Sequence, residues 1–585
     1  MGLLNFGKLC RGGNRYAVAF GTALLVLMAS GVASGQESNG QKSGRADYLG
    51  PHAEGAFAPV LETTPTRDRL LTSRLPALVV LDHVETIALR AESASQFDKS
   101  GVPLKIGFSR EVPVLRSKSQ TAAAMAWTSA HPGQFAAINL TSPEAVGIRL
   151  GLLVESLPIA AVLRFYGQDL VSLHEVSGQE IMETIARNLT AGDKTDEALT
   201  YWSPVIDGQE INLEIELPFG MSQDEVKFSI PRISHLFSSP LDTSALREQI
   251  GQSASCNLDS VCYPDWDNKS RATARMVFTD GGVSYTCTGT LMNDSDFSTY
   301  IPYFLSANHC ISTQTVASTL QTYWFYRSSS CDSGSMSSSM QPVSSGATLL
   351  YSSSITDTSF MRLNGAPPSG VYLSGWSATL PAIGVGGIGI HNPHSDLQKI
   401  SFGSITGYNK CTSEPGSSTF LCTGATAASA DHFHVLWSDG IVEGGSSGSG
   451  LWAASGSNYY LVGQLHGGNA SCSVPTEPSY YGRFGVAYNA ALYQWLGSGV
   501  SANYTIAVSK AGTGAGTVSS PAGSGLYCGT VCSVVYPSGT SVTLTATATT
   551  GSTFTGWSGD CSGAAATCTV SMSQARNVTA SFTAG

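Results

Sequence analysis

The stretch "SANHC" (residues 306–310) sets His309 directly beside Cys310, just after the apolar run Tyr303-Phe304-Leu305. A histidine in that position reads as a metal ligand, a buried hydrogen-bonding residue or a catalytic base. A zinc site needs more Cys or His at ligand spacing. No second one stands at that spacing from His309, and the cysteines pair off. Cys287 lies upstream in "YTCTGTLM". A bridge from it to Cys310 would close a loop of roughly two dozen residues, worth about 3 kcal/mol, and pin the turn that carries the imidazole.

Two further stretches supply partners for a base. In "EGGSSGSGLW" (443–452), Ser447 is preceded by Gly445 and Ser446 and followed by Gly448. Glycines crowded around a serine let the backbone turn tightly, exposing Oγ and aiming N–H groups into one concavity. By itself the pattern also fits a flexible Gly/Ser loop. In "SSSITDTSFMRLNG" (352–365), Asp357 stands at the front of the apolar pattern Phe360, Met361, Leu363. A carboxylate there can orient an imidazole, although alone it reads as a strand-capping Asp.

The wider composition sets the context. A chain of 585 residues exceeds one hydrophobic core, so two to four domains are expected. Charged residues make up only 12%, and Gly, Ser, Thr and Ala are abundant past residue 270, which suits extracellular β-rich domains. A net charge of −11 without a basic stripe argues against a nucleic-acid partner. At the N-terminus, Lys8, Arg11 and Arg15 precede "YAVAFGTALLVLMAS" and the small residues of "GVASG". This reads as a secretory signal over residues 1–35, cleaved after Ala33 or Gly35; the apolar run is short for a membrane anchor. Cys10 lies in that signal, and the other twelve cysteines all follow residue 255. An even count in an exported chain implies disulfides, and the abrupt onset marks a domain boundary.

Residues 36–250 read as a mixed α/β segment, either a propeptide or a retained adaptor. "GQEIMETIARNL" has helical spacing and "EINLEIEL" (210–217) alternates like a strand. Residues 251–498 are dense in short strand-like runs such as "ARMVFT", "TYWFY", "FHVLW" and "YYLVGQLHGG". They imply an antiparallel barrel or sandwich, closed by a helical "AALYQWL" (490–496). Residues 502–585 form a small all-β module with strands in "YTIAVSKA", "SVTLTATA", "TCTVSMS" and "NVTASF". Cys528/Cys532 and Cys561/Cys568 bracket short loops there and can staple it. The run from "GSTFTGWSGDCSG" resembles small bacterial repeat modules appended to exported hydrolases, and Trp557 in it reads as a core residue before a carbohydrate-stacking one.

The order His309, Asp357, Ser447 in a strand-rich context resembles that of chymotrypsin-like proteases. Residues 251–498 resemble, more closely, the lysyl endopeptidase group of bacterial serine proteases. The matching blocks are "SCNLDSVC", "CTGTLMN", "ANHC", "TDTSFMRL", "GIHNPHSDLQKIS", "EGGSSGSG", and "LVGQLHGG" followed by "YGR". The resemblance implies a chymotrypsin-like double β-barrel and a mature N-terminus near Gly251. It also implies that 36–250 is a propeptide, and bridges Cys256–Cys472, Cys262–Cys331 and Cys287–Cys310. Cys411 and Cys422 are then left to pair with each other. In such a scheme Ser447 attacks the scissile carbonyl, His309 relays the proton, and Asp357 orients the imidazole. The N–H groups of Gly445 and Ser447 form the oxyanion hole. Leu465 to Gly468 run beside the substrate backbone, with His466, Gly467 and Gly468 lining the site. Ser446 stands where most chymotrypsin-like enzymes carry Asp. His391, His394, His432 and His434 read as loop or core residues.

Specificity departs from the family pattern. Its lysine-selecting aspartate precedes "YGR", but the position two before Tyr481 is Ser479, and the trypsin-type position is Ile441. A buried P1 ammonium without a carboxylate is forbidden by several kcal/mol. Glu477 or Glu443 would have to supply the charge. Nor does a lysine precede Gly251: Ile250 does, and Arg247 is the nearest basic residue. The reading is therefore a secreted, monomeric serine endopeptidase acting on protein or peptide substrates, with a lean to Lys or Arg at P1. Its own propeptide would be folding aid and inhibitor. No metal, cofactor, nucleic acid or membrane partner (once the signal is removed) is implied. A protease fold retained for binding alone is the alternative.

Overall fold

The computed structural model describes residues 51–58, 77–84, 102–130, 133–168, 173–238, 252–296, 298–413 and 419–497, and much of 503–585. The signal segment and the expected maturation site around Ile250 and Gly251 lie outside the described residues.

The structure is mainly β, and its centre is a double β-barrel. In the first barrel, Thr273–Asp280 and Val283–Met292 form a hairpin whose two-residue loop is Gly281-Gly282. Both glycines have positive φ, which a right-twisted hairpin of this length requires. Tyr303–Ala307 pairs onto Val283–Met292, and Thr358–Leu363 pairs onto Tyr303–Ala307 with Ala307 opposite Thr358. That register fixes the site. It brings His309, two residues past Ala307, to the same end of the strand pair as Asp357, one residue before Thr358. Behind it packs a core including Phe278, Phe304, Trp324 and Met361.

The second barrel closes on itself. Its ring runs Gly450–Ser455, Gly386–His391, Lys399–Ser413, His432–Asp439, Ser479–Arg483, Asn458–Gly468 and back to Gly450–Ser455. Closure leaves no unpaired edge. Its interior carries Ile405, Val435, Trp437 and Tyr481. The expected terminal helix is a helical run over 484–496.

The N-terminal module contains two sheets around a common core that includes Ile138, Leu150, Leu163 and Ile215, with the helix Gly178–Thr190 against it. A capping box between Ser177 and Glu180 starts that helix. Arg164 lies buried among Glu175, Glu214 and Glu216. This module is seated on the first barrel. Leu104–Lys105 pairs antiparallel with Tyr285 and Thr286. Ile106, Val205 and Leu236 share a cluster with Val277, Tyr323 and Tyr326. Arg149, 2% exposed, sends hydrogen bonds to Thr279 Oγ1 and the Thr319 carbonyl, both 2.8 Å.

The C-terminal module is two small sheets over one core. Trp557 is part of it, with Nε1 donating to the Ala565 carbonyl, so it is a packing residue. Cys256–Cys472, Cys262–Cys331, Cys287–Cys310, Cys411–Cys422, Cys528–Cys532 and Cys561–Cys568 all stand as disulfides. No helix among the described residues is long and apolar enough to cross a membrane.

Candidate active site

Asp357 anchors the site. It adopts a left-handed backbone, φ +49°, which a non-glycine residue holds only when its surroundings impose it. Its carbonyl accepts from the Asn308 N–H (2.9 Å) and from Gln464 Nε2 (3.2 Å). Its carboxylate spans His309: Oδ1 accepts the backbone N–H at 2.9 Å, and Oδ2 is 2.7 Å from Nδ1. A carboxylate only accepts, so Nδ1 carries the proton and Nε2 is left as the basic nitrogen. Burial pushes the Asp357 carboxyl up, but the His309 and His466 imidazoles and the two bonds from His309 outweigh it and hold it below the usual range. The Cys287–Cys310 bridge ties the turn to the Val283–Met292 strand.

Ser447 arrives from the second barrel. Its carbonyl accepts from the Thr288 N–H, and the Gly445 carbonyl accepts from Thr288 Oγ1, so the serine turn is bound to the strand bearing Cys287. On its other side, Gly448 N–H donates to the Leu465 carbonyl. Gly448 has φ +81°, and a Cβ there would lie 2.1 Å from Ser306 Oγ and 2.7 Å from the Ala307 nitrogen. Only glycine lets the serine turn approach the His309 turn so closely. His309 Nε2 is buried and makes no hydrogen bond in this structure. Such contacts tighten when substrate binds.

Among the described residues, neither the Gly445 nor the Ser447 N–H donates to another protein group, while Ser446, Gly448 and Ser449 all do. The turn is held by a neutral chain. Ser401 Oγ donates to the Ile441 carbonyl and so accepts from His391 Nε2, leaving His391 Nδ1 to accept from Ser446 Oγ at 2.8 Å. Burial, helped by Lys399, drives the His391 pKa down to about 3, so the chain stays uncharged. His391 is thus a structural relay under the serine turn rather than an inert core residue.

The pocket candidates separate. Ser479 is fully buried, and its hydroxyl accepts from Trp437 Nε1 at 3.0 Å. Glu443, named above with Glu477 as a source of the P1 charge, is turned away: it accepts from the Ala254 N–H (3.0 Å) and Asn257 Nδ2 (2.5 Å), beside His394. Its neighbours are the chain segment following the expected maturation site, which explains a glutamate there without any role in selectivity. Glu477 is exposed, and close enough to reinforce the rise that burial gives the Tyr480 phenol pKa. Tyr480 meets Phe420 edge-on, and Phe420 stacks on His466 at 3.8 Å between centroids. Gly467 and Gly468 lie opposite Tyr480 and Ser479.

His466 itself sits beside His309 and Asp357. Its ring stacks on His309, and its Nε2 is 3.9 Å from Asp357 Oδ2. His309, Asp357 and His466 bring three donor atoms within 4.8 Å, but two of them are already joined to each other. Sequence reading missed Phe420, Trp437 and the Asp431–His432 pair behind His466, because each reaches the site through strand register and not through a local motif.

Comparison with known proteins places these observations in a family. The model of the lysyl endopeptidase C-terminal domain matches residues 250–482, that of the lysyl endopeptidase N-terminal domain 75–237, and that of a divergent InlB B-repeat domain 504–585. A lysyl endopeptidase of Pseudomonas aeruginosa is 33% identical over 417 residues, covering 68% of this chain and 83% of the relative. Among solved structures, the MamO protease domain from Magnetospirillum magneticum aligns at 8% identity, over 38% of this chain and 98% of that one, with a TM-score of 0.26. The active form of the Rv3671c protease from M. tuberculosis aligns at 13% identity, over 40% and 86%, with a TM-score of 0.27.

Proposed function

The chain belongs to the lysyl endopeptidase family and is a serine protease; from that premise we propose that it is an extracellular endopeptidase working through Ser447, His309 and Asp357. The carrying observation is the Asp357 carboxylate bridging the N–H and Nδ1 of His309, beside a serine turn with two undonated N–H groups. Ser447 Oγ adds to the scissile carbonyl as His309 Nε2 takes its proton. The Gly445 and Ser447 N–H groups hold the oxyanion, each worth about 3–4 kcal/mol in the transition state. The acyl-enzyme forms as His309 returns the proton to the leaving amine, and water reverses the sequence. Six disulfides fit an oxidising, extracellular compartment.

A lean to Lys or Arg at P1 belongs to this proposal, the family supplying the lysine preference, and Glu477 is its charge partner here. Ser479 is engaged by Trp437 and Glu443 by the Ala254–Asn257 segment, which leaves Glu477 as the acid on the Tyr480–Phe420–His466 side. A rim carboxylate selects less sharply than a buried one, because water screens it.

The N-terminal module is, in this reading, an inhibitory propeptide. The serine turn lies between Leu465 on one side and Thr288 on the other. A peptide paired along Leu465–Gly468 passes Ser447 toward Thr286, where Leu104–Lys105 already pairs. Leu104 reaches within 3.5 Å of a Cβ position on Gly445. The propeptide thus covers the leaving-group side. The test is a cleavage-site profile of the matured enzyme on a complex peptide mixture beside its Ser447→Ala and Glu477→Gln variants. Loss of all cutting in the first and of basic P1 preference in the second is expected. Turnover by Ser447→Ala would overturn the mechanism.

A further inference from the structure

Behind the triad, three buried groups continue in line from Asp357. His466 Nε2 stands 3.9 Å from Asp357 Oδ2, His466 Nδ1 is 3.1 Å from His432 Nε2, and His432 Nδ1 is 2.7 Å from Asp431 Oδ1. Asp431, His432 and His466 are 5%, 0% and 4% exposed. We propose that Asp431 and His432 are positioning residues that lock the tautomer of His466, and so reserve the Asp357 carboxylate for His309. The proposal rests on the triad reading above.

The proton positions follow from the donors and acceptors. Asp431 Oδ1, which also accepts the Cys411 N–H at 2.9 Å, only accepts, so His432 Nδ1 carries a proton. Two arrangements remain. If His432 is neutral, its Nε2 accepts from His466 Nδ1, and a neutral His466 has no proton on Nε2. If His432 is an imidazolium, the donation runs the other way and ends in an N–H from His466 to Asp357. The distances choose the first: 3.9 Å is too long for that last bond, while Asp357 Oδ2 is 2.7 Å from His309. The groups facing His466 are Asp357 and His309 on the first-barrel side, and His432 with Asp431 from the start of the strand His432–Asp439, beyond Ser479–Arg483. Burial dominates over these and drives the His466 pKa down to about 4, which keeps the ring neutral at working pH. Phe420 stacks on it within 14° of parallel and holds its plane.

The consequence concerns one oxygen. With an N–H on Nε2, His466 would need to move little more than half an ångström to hydrogen-bond Asp357 Oδ2, the atom that supports the His309 imidazolium. Sharing that oxygen would lower the basicity of His309. The lock removes the competing proton, not the ring.

The test uses protein expressed as the whole chain and collected after maturation. His432→Phe keeps buried aromatic volume but removes the acceptor, freeing His466 to carry its proton on Nε2. The expected result is a kcat lower by about three- to tenfold at unchanged KM, with the acidic limb of kcat/KM moved to lower pH. In ¹⁵N-histidine spectra, the His466 Nε2 resonance should change from unprotonated to protonated. In a His466→Phe background, adding His432→Phe should have no further effect. An unchanged Nε2 resonance and pH profile in His432→Phe would overturn the proposal, as would an equal loss in the His466→Phe background. Failure of the triad reading is distinguishable: Ser447→Ala would then remain active, while the resonance would still report the tautomer.

Discussion

Arg149 offers the sharpest test of how the N-terminal module is held. It is a buried cation with no carboxylate partner among the described residues, and burial, against Tyr323 and Tyr201, lowers its pKa to about 10. Nε donates to the Ser203 carbonyl within its own module at 2.7 Å, while the other two nitrogens cross to Thr279 Oγ1 and the Thr319 carbonyl. Arg149→Met keeps the packing of the side-chain stem and removes both crossing bonds. Hydrogen bonds from a charged donor contribute about 1.5–3 kcal/mol each. Not burying the cation returns roughly 2 kcal/mol. The balance is about 3 kcal/mol, or roughly a hundredfold weaker retention of the module once it is cleaved as proposed above. The assay is to mature wild-type and Arg149→Met chains, dilute them serially, and follow the fraction of activity released. The variant should release its module at a concentration about a hundredfold higher. An unchanged midpoint would refute the assignment of Arg149 as the clasp.

Three other outcomes are expected. Before the module leaves, a small chromogenic ester should still acylate Ser447, while a quenched peptide extending past the scissile bond should not be cut; equal inhibition of both would refute occupation of the leaving-group side alone. His391 and His466 have folded pKa values of about 3 and about 4, below the ordinary 6.5, so the unfolded chain binds more protons between these limits. Their contribution to stability is therefore complete above about pH 6.5 and lost as pH falls toward 4 and 3, with His391→Gln flattening the slope in acid-unfolding curves. Replacing Cys287 and Cys310 together by Ala opens a 23-residue loop and should cost about 3 kcal/mol in denaturant midpoints, with kcat falling more than KM changes because the His309 turn is freed.

What the sequence determined by itself was local chemistry and strand content. β-branched alternation in "VSYTCTGTLM" marks a strand because side chains alternate across the pleat, and that strand is Val283–Met292. The glycines around Ser447 announce a tight turn because few other residues tolerate positive φ, as at Gly445 and Gly448. The cysteine beside His309 and the spacing of "GQEIMETIARNL" were legible for the same reason: covalent and helical constraints act over a few residues. Tertiary structure decided everything carried by register. Strands Lys399–Ser413, His432–Asp439 and Asn458–Gly468 have no sequence mark tying Asp431 and His432 to His466, yet closing the barrel aligns them. Glu443 and Glu477 look alike as acids, and only packing shows one bound to Ala254 and Asn257 and the other exposed. Hydrogen bonds between distant strands depend on shape and burial, and these are properties of the folded chain as a whole.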